Sequence, residues 1–349
     1  MLNNRRQFLG LGLLSALPLP FRELQNRGEQ VAASPVIKPA RLQPGDTVAL
    51  INPAGATFHT VDVDVARETL GALGLKVKLG EYVLSRRGYF AGTDDERARD
   101  LNAQFADPAV KGLFTVRGGW GSSRLLPLID FGLIRKNPKV VMGYSDITVL
   151  LLAIHAQTGL VTFHGPVGIS SWNSYTVQFV RQILFEGQAV TMTNPKDIGD
   201  SLAQVEDRVQ VITPGTARGK LLGGNLAVLS AIIGSPYVPD WRGAILFLED
   251  TDEGIYRIDR MLTQLKLAGV LNQISGFVFG KCTKCGPGES YGSLTLEEVL
   301  NDHVRPLGIP AWFGAMIGHV PKVFTLPVGI QAEIDAGAGA IRMLEPAVV

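Results

Sequence analysis

Short apolar runs that stop at small-residue turns recur through the first half of this chain. The clearest cover residues 46–51, 112–116 and 139–142, and helical spacing fills residues 61–73 and 125–135 between them. Runs of this length are typical of buried strands, and strands that alternate with helices form parallel sheets with helices on their faces. The pattern predicts an α/β fold whose strand ends share one edge, where ligands of such sheets bind.

The second half restarts after an irregular segment, residues 171–207, which we interpret as the connection between two domains. Strand-like runs and one helical pattern then follow, at 209–212, 217–222, 244–248, 255–267 and 276–280. We expect an N-terminal parallel-sheet domain of the Rossmann-like (flavodoxin-like) kind over 36–170 and a mixed α/β domain over 208–349. In the first helical pattern, Val65, Leu70 and Leu73 are the expected buried residues.

The size and charge of the chain limit the classes of molecule that it is expected to bind. Its 349 residues are enough for two domains with substantial cores. The 33 basic and 32 acidic residues leave a formal charge of +1, and no basic stripe interrupts the sequence. A nucleic-acid partner is therefore not expected, whereas a small molecule or a peptide fits this balance.

The N-terminus is typical of a twin-arginine export signal. Arg5 and Arg6 precede Phe8 and Leu9, and a short stretch of apolar and small residues follows. That stretch is too short to make a stable membrane span, and the alternative interpretation is an amphipathic or anchoring segment. We expect residues 1–35 to be a signal and the protein to be exported, with a periplasmic location.

The two cysteines of the chain, Cys282 and Cys285, stand close together in sequence. A zinc ribbon needs a second pair of cysteines or histidines at ligand spacing, and neither follows, so no metal site is predicted. A disulfide could form after export, but residues this close often give a strained bridge. The favoured prediction is two free loop thiols.

Ser145 lies where an apolar strand stops and a helix starts, in the run 140–148. A serine at such a bend projects its hydroxyl out of the fold, and the adjacent backbone N–H groups have no intrahelical acceptor. Gly143 permits the sharp turn, and the Asp146 N–H is placed to donate to an oxyanion. The alternative is an ordinary helix cap.

A serine nucleophile needs a base, and His319 is the favoured one of five histidines. It precedes Pro321 after a short apolar run, which predicts a loop at a strand end. A loop histidine without a partner is the alternative. The other four are assigned elsewhere: His59 to an uncertain loop, His155 to a packed helix, His164 to a rigid structural turn and His303 to a helix end.

Glu249 is the candidate for the group that orients the base. It ends the apolar run 244–248, and a carboxylate at the end of a buried strand is held rigidly enough to fix an imidazole tautomer. The alternative is that these acids cap the helix that begins near Ile255. We expect the acids of residues 250–253 to form that cap and Glu249 to orient the base.

Several motifs occur together in one order along residues 42–344. They are Arg117-Gly118-Gly119-Trp120-Gly121, Gly143-Tyr144-Ser145-Asp146, Phe163-His164-Gly165-Pro166, Gly223-Gly224-Asn225-Leu226, Leu248-Glu249-Asp250 with Tyr256-Arg257-Ile258-Asp259-Arg260, and Gly318-His319. This combination resembles the LD-carboxypeptidase family of serine peptidases, which includes muropeptide LD-carboxypeptidases and microcin C self-immunity peptidases.

The resemblance implies a Ser-His-Glu triad in which Ser145 attacks, His319 is the base and Glu249 orients it. It places the oxyanion hole on the backbone of Asp146 and of the glycine run near Gly119, and it implies a homodimer without metal or cofactor. The residues themselves leave Arg117 with two roles, a partner for a substrate carboxylate or a structural ion pair.

The implied reaction is hydrolysis of the amide between the L-centre of a diamino acid and a terminal D-alanine in murein tetrapeptides. The export signal sets this chain apart from the family's cytoplasmic recycling members. One alternative is an immunity-type peptidase for peptidyl-nucleotides, and another is a non-catalytic protein that binds a peptide or anion. A dinucleotide-binding oxidoreductase is disfavoured, because residues 117–121 lack that fingerprint's spacing.

Overall fold

Two β-sheets organise the part of the chain that the computed structural model describes, residues 35–286 and 292–349. The expected export signal, residues 1–35, lies outside the described residues except for Pro35. Across the described ranges, no helix has both the length and the apolar character needed to cross a bilayer.

Fourteen strands and eight α-helices are described within these ranges. The strands are β1 (Thr47–Ile51), β2 (Lys76–Leu79), β3 (Val110–Thr115), β4 (Val140–Gly143), β5 (Thr162–His164), β6 (Thr191–Thr193), β7 (Gln210–Thr213), β8 (Thr216–Asn225), β9 (Ile245–Thr251), β10 (Gly276–Thr283), β11 (Ala311–Phe313), β12 (Leu326–Val328), β13 (Gln331–Asp335) and β14 (Ala340–Met343). The helices are α1 (Thr60–Ala72), α2 (Asp94–Ala106), α3 (Phe131–Lys136), α4 (Thr148–Thr158), α5 (Ser174–Val180), α6 (Leu226–Ile232), α7 (Ile255–Leu267) and α8 (Leu296–Val304).

The first sheet has the strand order β2-β1-β3-β4-β5-β12. Its first five strands are parallel, and their order, 2-1-3-4-5, is that of flavodoxin-like folds. The sixth strand, β12, comes from near the C-terminus and pairs antiparallel with β5. The predicted N-terminal parallel sheet is therefore confirmed, and a strand from the other half of the chain completes it.

The second sheet is mixed, as predicted, with the order β6-β14-β13-β8-β9-β10-β11-β7. Its centre, β8 to β11, is parallel, and antiparallel strands flank it on both sides. Within the expected connection, residues 171–207, α5 forms and β6 joins the edge of this sheet. The boundaries proposed at residues 170 and 208 stay a prediction.

Helix α4 is apolar on most of its surface, which allows it to contact elements of both sheets, including β5 and β8. It follows β4 directly through the short 3-10 helix Ser145–Ile147, so the strand, the serine and the helix form one continuous unit. This packing holds the turn that carries Ser145 between the two sheets.

Helix α1 has a different buried face from the predicted one. Val65 is 48% exposed, whereas Val63, Ala66 and Leu70 are buried. Their spacing of three and four residues places these three on one helical face, and Val65 lies on the opposite face. The predicted burial of Val65 is wrong, and that of Leu70 and Leu73 is confirmed.

Candidate active site

Ser145 occupies a strained backbone position between β4 and α4. Its φ is 64°, in the left-handed region that non-glycine residues rarely adopt. A Cβ on Gly118 would lie 2.7 Å from the Ser145 Cβ, so the glycine turn approaches the serine closely. Strain of this kind is characteristic of a serine nucleophile that is displayed at a turn between strand and helix.

His319 and Glu249 meet Ser145 although the three residues come from separate elements. Nε2 of His319 lies 3.2 Å from Oγ of Ser145, and Nδ1 of His319 lies 2.8 Å from Oε2 of Glu249. Glu249 is fully buried on β9, whereas the His319 side chain is 22% exposed on the loop after β11. These contacts form a chain from a buried carboxylate to an accessible hydroxyl.

The surroundings of His319 act on its pKa in opposite directions. Burial lowers the pKa, but the hydrogen bond to Glu249 and the negative charges of Glu249 and Asp250 outweigh burial, so the pKa of His319 is raised overall. With Nδ1–H donated to Glu249, the lone pair of Nε2 faces Ser145. An imidazole in this tautomer can accept the serine proton.

Gly318 gives Glu249 the room to reach His319, a role that the sequence analysis missed. The φ of Gly318 is 82°, and a Cβ at this position would lie 2.0 Å from Oε2 of Glu249. The carboxylate therefore occupies the space that any other side chain would need. A glycine directly before the candidate histidine was the available signal.

Asp146 contributes its backbone to the site and its side chain to the fold. Its carboxylate accepts a hydrogen bond from the backbone N–H of Ser122 at 2.7 Å, and its carbonyl accepts one from the Ser122 hydroxyl. Burial raises the pKa of this carboxyl. The Asp146 N–H lies in the first turn of the 3-10 helix, where amides have no intrahelical acceptor.

Gly119 lies where two glycine turns touch. Its φ is 120°, and a Cβ here would come within 2.8 Å of the Gly55 Cα. The amide of Gly55 also donates to the Gly118 carbonyl at 3.1 Å. The turn after β1 therefore packs against the turn after β3, and Gly118 of the latter turn approaches Ser145.

Arg117 lies in the loop directly after β3 and lines the same cavity as Ser145. Its Nη1 donates to the Ala56 carbonyl at 3.3 Å, and its Nε is buried without a hydrogen-bond partner among the described residues. No carboxylate within 35–286 and 292–349 forms an ion pair with it. Of its two predicted roles, the structural ion pair is therefore not found among the described residues.

The cavity around Ser145 has a volume of about 740 Å³ and takes its walls from both sheets. Arg117 and Trp120 come from the first sheet's loops, and Asp252, Lys284 and His319 come from the second. Both signs of charge are therefore present around the serine, which suits a ligand that carries both signs of charge, such as a short peptide with two free termini.

The acids after Glu249 do not cap the helix near Ile255, so that prediction is wrong. Strand β9 continues to Thr251 and carries Asp250 to the start of α6, where Asp250 accepts from the Asn225 side chain at 3.1 Å and from the Ala227 N–H at 2.9 Å. Helix α7 begins after Gly254 without a side-chain cap. Burial and the charge of Glu249 raise the pKa of Asp250 to about 7.

His164 is closer to the site than its predicted role as a turn residue suggests. It lies at the end of β5, is 1% exposed, and places Nε2 3.9 Å from Oε1 of Glu249. Neither atom has a hydrogen-bond partner among the described residues. Burial lowers the pKa of His164 to about 4, so the imidazole beside Glu249 is neutral at physiological pH.

Two other histidines are structural. His155 is buried in α4 as predicted, and its Nδ1 lies 3.1 Å from the Leu160 carbonyl. His303 is in the last turn of α8, as predicted, and also contacts Asp259 of α7 at 2.7 Å.

Cys282 and Cys285 form a disulfide, so the prediction of two free thiols is wrong. The four-residue turn, in which Lys284 has a φ of 58°, brings their Cα atoms to 5.3 Å, within the usual range for a disulfide. Among the described residues, no cluster of three or more histidine, cysteine or acidic side chains is arranged to hold a metal ion.

Comparison with known proteins identifies the family. The LD-carboxypeptidase N-terminal domain matches residues 48–165, and the LD-carboxypeptidase C-terminal domain matches residues 218–334. A probable murein peptide carboxypeptidase of Bacillus subtilis is 42% identical over 303 residues, which cover 85% of this chain and 91% of the relative.

Solved structures agree with these matches. MccF in complex with glutamyl sulfamoyl guanosine superposes with a TM-score of 0.80 at 29% identity, covering 89% of this chain and 99% of that one. The muramoyltetrapeptide carboxypeptidase of Oxalobacter formigenes gives a TM-score of 0.71 at 31% identity, covering 85% and 97%. Sequence and fold agree along both halves, and the chain belongs to the LD-carboxypeptidase family.

Proposed function

We propose that this protein is a serine carboxypeptidase that removes the terminal D-alanine from murein tetrapeptides by hydrolysing its amide bond to the L-centre of a diamino acid. The observation that carries the proposal is the chain of contacts from Glu249 through His319 to Ser145, with separations of 2.8 and 3.2 Å. Relatives named murein peptide or tetrapeptide carboxypeptidases support this substrate class.

In the acylation step, Oγ of Ser145 attacks the carbonyl carbon while Nε2 of His319 takes the hydroxyl proton. Glu249 stabilises the imidazolium that forms, because its buried carboxylate lies against Nδ1. The imidazolium then protonates the nitrogen of D-alanine, the C–N bond breaks, and an ester remains on Ser145.

In the deacylation step, water takes the place of D-alanine. His319 takes a proton from the water, and the resulting hydroxide attacks the ester carbon. The ester bond to Oγ of Ser145 then breaks, Oγ takes the proton back from His319, and the tripeptide leaves with a new carboxyl group. The oxyanion of both tetrahedral intermediates is assigned to backbone N–H groups, with Asp146 and the turn at Gly119 as the donors. Two observations support that assignment: Asp146 directly follows Ser145 in the 3-10 helix, and Gly118 of the same glycine turn approaches the Ser145 side chain.

Arg117 is proposed to bind the carboxylate of the terminal D-alanine. It lines the cavity, forms no ion pair within the described residues, and has a buried Nε that lacks a partner there. Guanidinium groups pair with carboxylates through two parallel hydrogen bonds, which fixes orientation as well as charge. This contact would select a free C-terminus, as a carboxypeptidase requires.

The test is incubation of the purified protein with a murein tetrapeptide, followed by mass spectrometry. The proposal predicts tripeptide and free D-alanine in equal amounts. Binding of the tetrapeptide without cleavage, measured by calorimetry, would instead support a non-catalytic peptide-binding protein.

A second candidate is an immunity-type peptidase that acts on peptidyl-nucleotides. The likeness to MccF, solved with glutamyl sulfamoyl guanosine, favours it. The two candidates separate by kcat/KM, measured on a murein tetrapeptide and on an aminoacyl sulfamoyl nucleoside with the same enzyme preparation. We expect the tetrapeptide to be the better substrate, and the reverse order would assign the protein to the immunity class.

We further propose that the protein is exported and acts on periplasmic wall fragments as a homodimer. The Arg5-Arg6 pattern supports export, and the Cys282–Cys285 disulfide is consistent with an oxidising compartment. Cell fractionation of the native chain and of Arg5→Lys/Arg6→Lys tests export, because the double variant would stay in the cytoplasm. Light scattering after gel filtration tests the dimer, which so far rests on the family resemblance.

A further inference from the structure

The disulfide turn Cys282–Cys285 lies at the end of β10, against the strand that carries Glu249. Beyond an irregularity in register between Phe279 and Cys282, Cys282 pairs with Asp250 and Thr283 pairs with Thr251. Such bulges bend a strand and redirect its side chains. The turn is thereby brought to the wall of the cavity, where Thr283 and Lys284 line it beside His319.

Thr283 connects the two elements that hold Glu249 and His319. Its Oγ1 donates to the backbone carbonyl of His319 at 2.8 Å. Its own carbonyl accepts from the Thr251 hydroxyl at 3.0 Å and from the Asp252 N–H at 2.9 Å. One residue is therefore bonded on one side to the histidine loop and on the other to the end of β9.

The disulfide closes this turn where the strand pairing ends. The Cys285 N–H also donates to the Cys282 carbonyl at 3.3 Å, and the Ile255 N–H donates to the Gly286 carbonyl at 3.1 Å. Without the covalent link, hydrogen bonds alone would hold a segment at the end of a strand, where local opening is least costly. The link restricts the positions open to Thr283.

We propose that the Cys282–Cys285 disulfide and Thr283 form a positioning device that holds His319 in register with Ser145 and Glu249. Thr283 is a positioning residue, since it touches the backbone of the base and not the reacting atoms. The inference rests on the proposed function for its substrate assay. The positioning device also makes the activity sensitive to the redox state of the disulfide.

The effect follows from the tight geometry of the triad. Nε2 of His319 is 3.2 Å from Oγ of Ser145, and displacements of about 1 Å in such a contact reduce rates by about 100-fold. We therefore expect kcat to fall when the turn loses either its disulfide or its hydrogen bond to the His319 carbonyl. Arg117, the proposed partner of the substrate carboxylate, lies on a loop of the other sheet, whereas Lys284 of the turn itself lines the cavity, so we expect kcat to fall by a larger factor than KM rises.

Matched variants of Thr283 test the hydrogen bond. Thr283→Val keeps the shape but removes the hydroxyl, and we expect kcat for D-alanine release to fall between about 10- and 100-fold. Thr283→Ser restores the hydroxyl and should recover most of the wild-type kcat, which a merely structural role for the side chain's volume would not predict. Equal kcat for wild type and Thr283→Val would overturn the role of Thr283.

Reduction of the native protein tests the disulfide. Dithiothreitol supplies two electrons and two protons, is itself oxidised to a cyclic disulfide, and converts Cys282 and Cys285 to thiols. We expect kcat to fall by about 10-fold or more and to return on reoxidation, while circular dichroism shows an unchanged fold. The variant Cys282→Ser/Cys285→Ser should match the reduced enzyme and should not respond to dithiothreitol.

A second readout keeps this inference separate from the choice of substrate. The rate at which a fluorophosphonate labels Ser145, followed by intact-protein mass, reports the activation of the serine by His319 and needs no murein peptide. We expect slower labelling after reduction and in Thr283→Val, in parallel with kcat. Unchanged labelling in both would refute the positioning device, whereas slower labelling of a protein that cleaves no tetrapeptide would refute only the proposed substrate.

Discussion

Nε2 of His319 lies 3.2 Å from Oγ of Ser145, although 174 positions separate the two residues in the sequence. Ser145 belongs to the unit of β4 and α4, and His319 follows β11 of the second sheet. Directly after the histidine loop, β12 crosses back to pair with β5 of the first sheet. The site therefore depends on packing between both sheets, and each family domain alone supplies an incomplete set of residues.

The pH dependence of kcat/KM should report the pKa of His319. The base must be neutral to accept a proton, so activity falls as the pH drops below this pKa. Because Glu249 and Asp250 raise the pKa of His319 overall, we expect the midpoint of the acidic limb above the ordinary histidine value of about 6.5.

Glu249→Gln provides the control for that assignment. The substitution removes the charge of Glu249, which contributes most to raising the pKa of His319, and leaves burial and the charge of Asp250, so the midpoint should move to lower pH. The rate itself should fall by about 10³- to 10⁴-fold, as expected when the orienting carboxylate is lost. An acidic limb at the same pH in both proteins would show that another group controls it.

Gly318→Ala should abolish most activity while the protein stays folded. The new methyl group would lie 2.0 Å from Oε2 of Glu249 and would displace the carboxylate from His319. Gly308→Ala is the matched control, because Gly308 also has a left-handed backbone, with a φ of 65°, but has open space around its Cα. Thermal unfolding and kcat are measured for both variants. Backbone strain should lower the stability of both, whereas only Gly318→Ala should lose activity, because of the two glycines only Gly318 contacts Glu249.

Arg117→Met should raise KM for a tetrapeptide by about 10- to 100-fold, the usual effect of losing a hydrogen bond to a charged group. A tetrapeptide with a C-terminal amide has no carboxylate to bind, so wild type and Arg117→Met should process it equally poorly. Steady-state kinetics on the acid and the amide measure this difference. If Arg117→Met weakened both substrates alike, Arg117 would have a structural role.

Arg97 links two of the turns beneath the site and should be important for stability. It is 1% exposed, and its Nη1 donates to the carbonyls of Pro53 at 2.7 Å and of Gly121 at 3.0 Å. Arg97→Met would leave both carbonyls and Asp94 without this partner, so the free energy of unfolding should fall by about 3–5 kcal/mol. Urea denaturation measures the loss, and the exposed Arg99→Met on the same helix should leave the midpoint unchanged.

The sequence predicted elements with a regular apolar pattern and missed those without one. The helical pattern at 255–267 coincides with α7. Helix α2 was missed because its buried face includes the polar residues Arg97, Asp100 and Gln104, which conceal the helical period. Strand β12 was missed because it has three residues, one of them proline, and its partner β5 is far away in sequence.

The sequence predicted individual candidate residues but not their arrangement. Local pattern alone left Ser145 as a possible cap and His319 as a possible isolated loop residue, and the family resemblance implied the roles of nucleophile and base. The closeness of His164 to Glu249, and the connection from Thr283 to His319, arise from contacts between distant segments. No local period or motif encodes such contacts, since they depend on how the two sheets pack.

The central claim is that Ser145 is the nucleophile that His319 activates. Its most direct test compares wild type with Ser145→Ala on a murein tetrapeptide, with D-alanine release followed by mass spectrometry and tetrapeptide binding by calorimetry. We predict release by the wild type, a loss of at least about 10⁴-fold in Ser145→Ala, and similar binding by both proteins. Equal rates of D-alanine release from the two proteins would contradict the account.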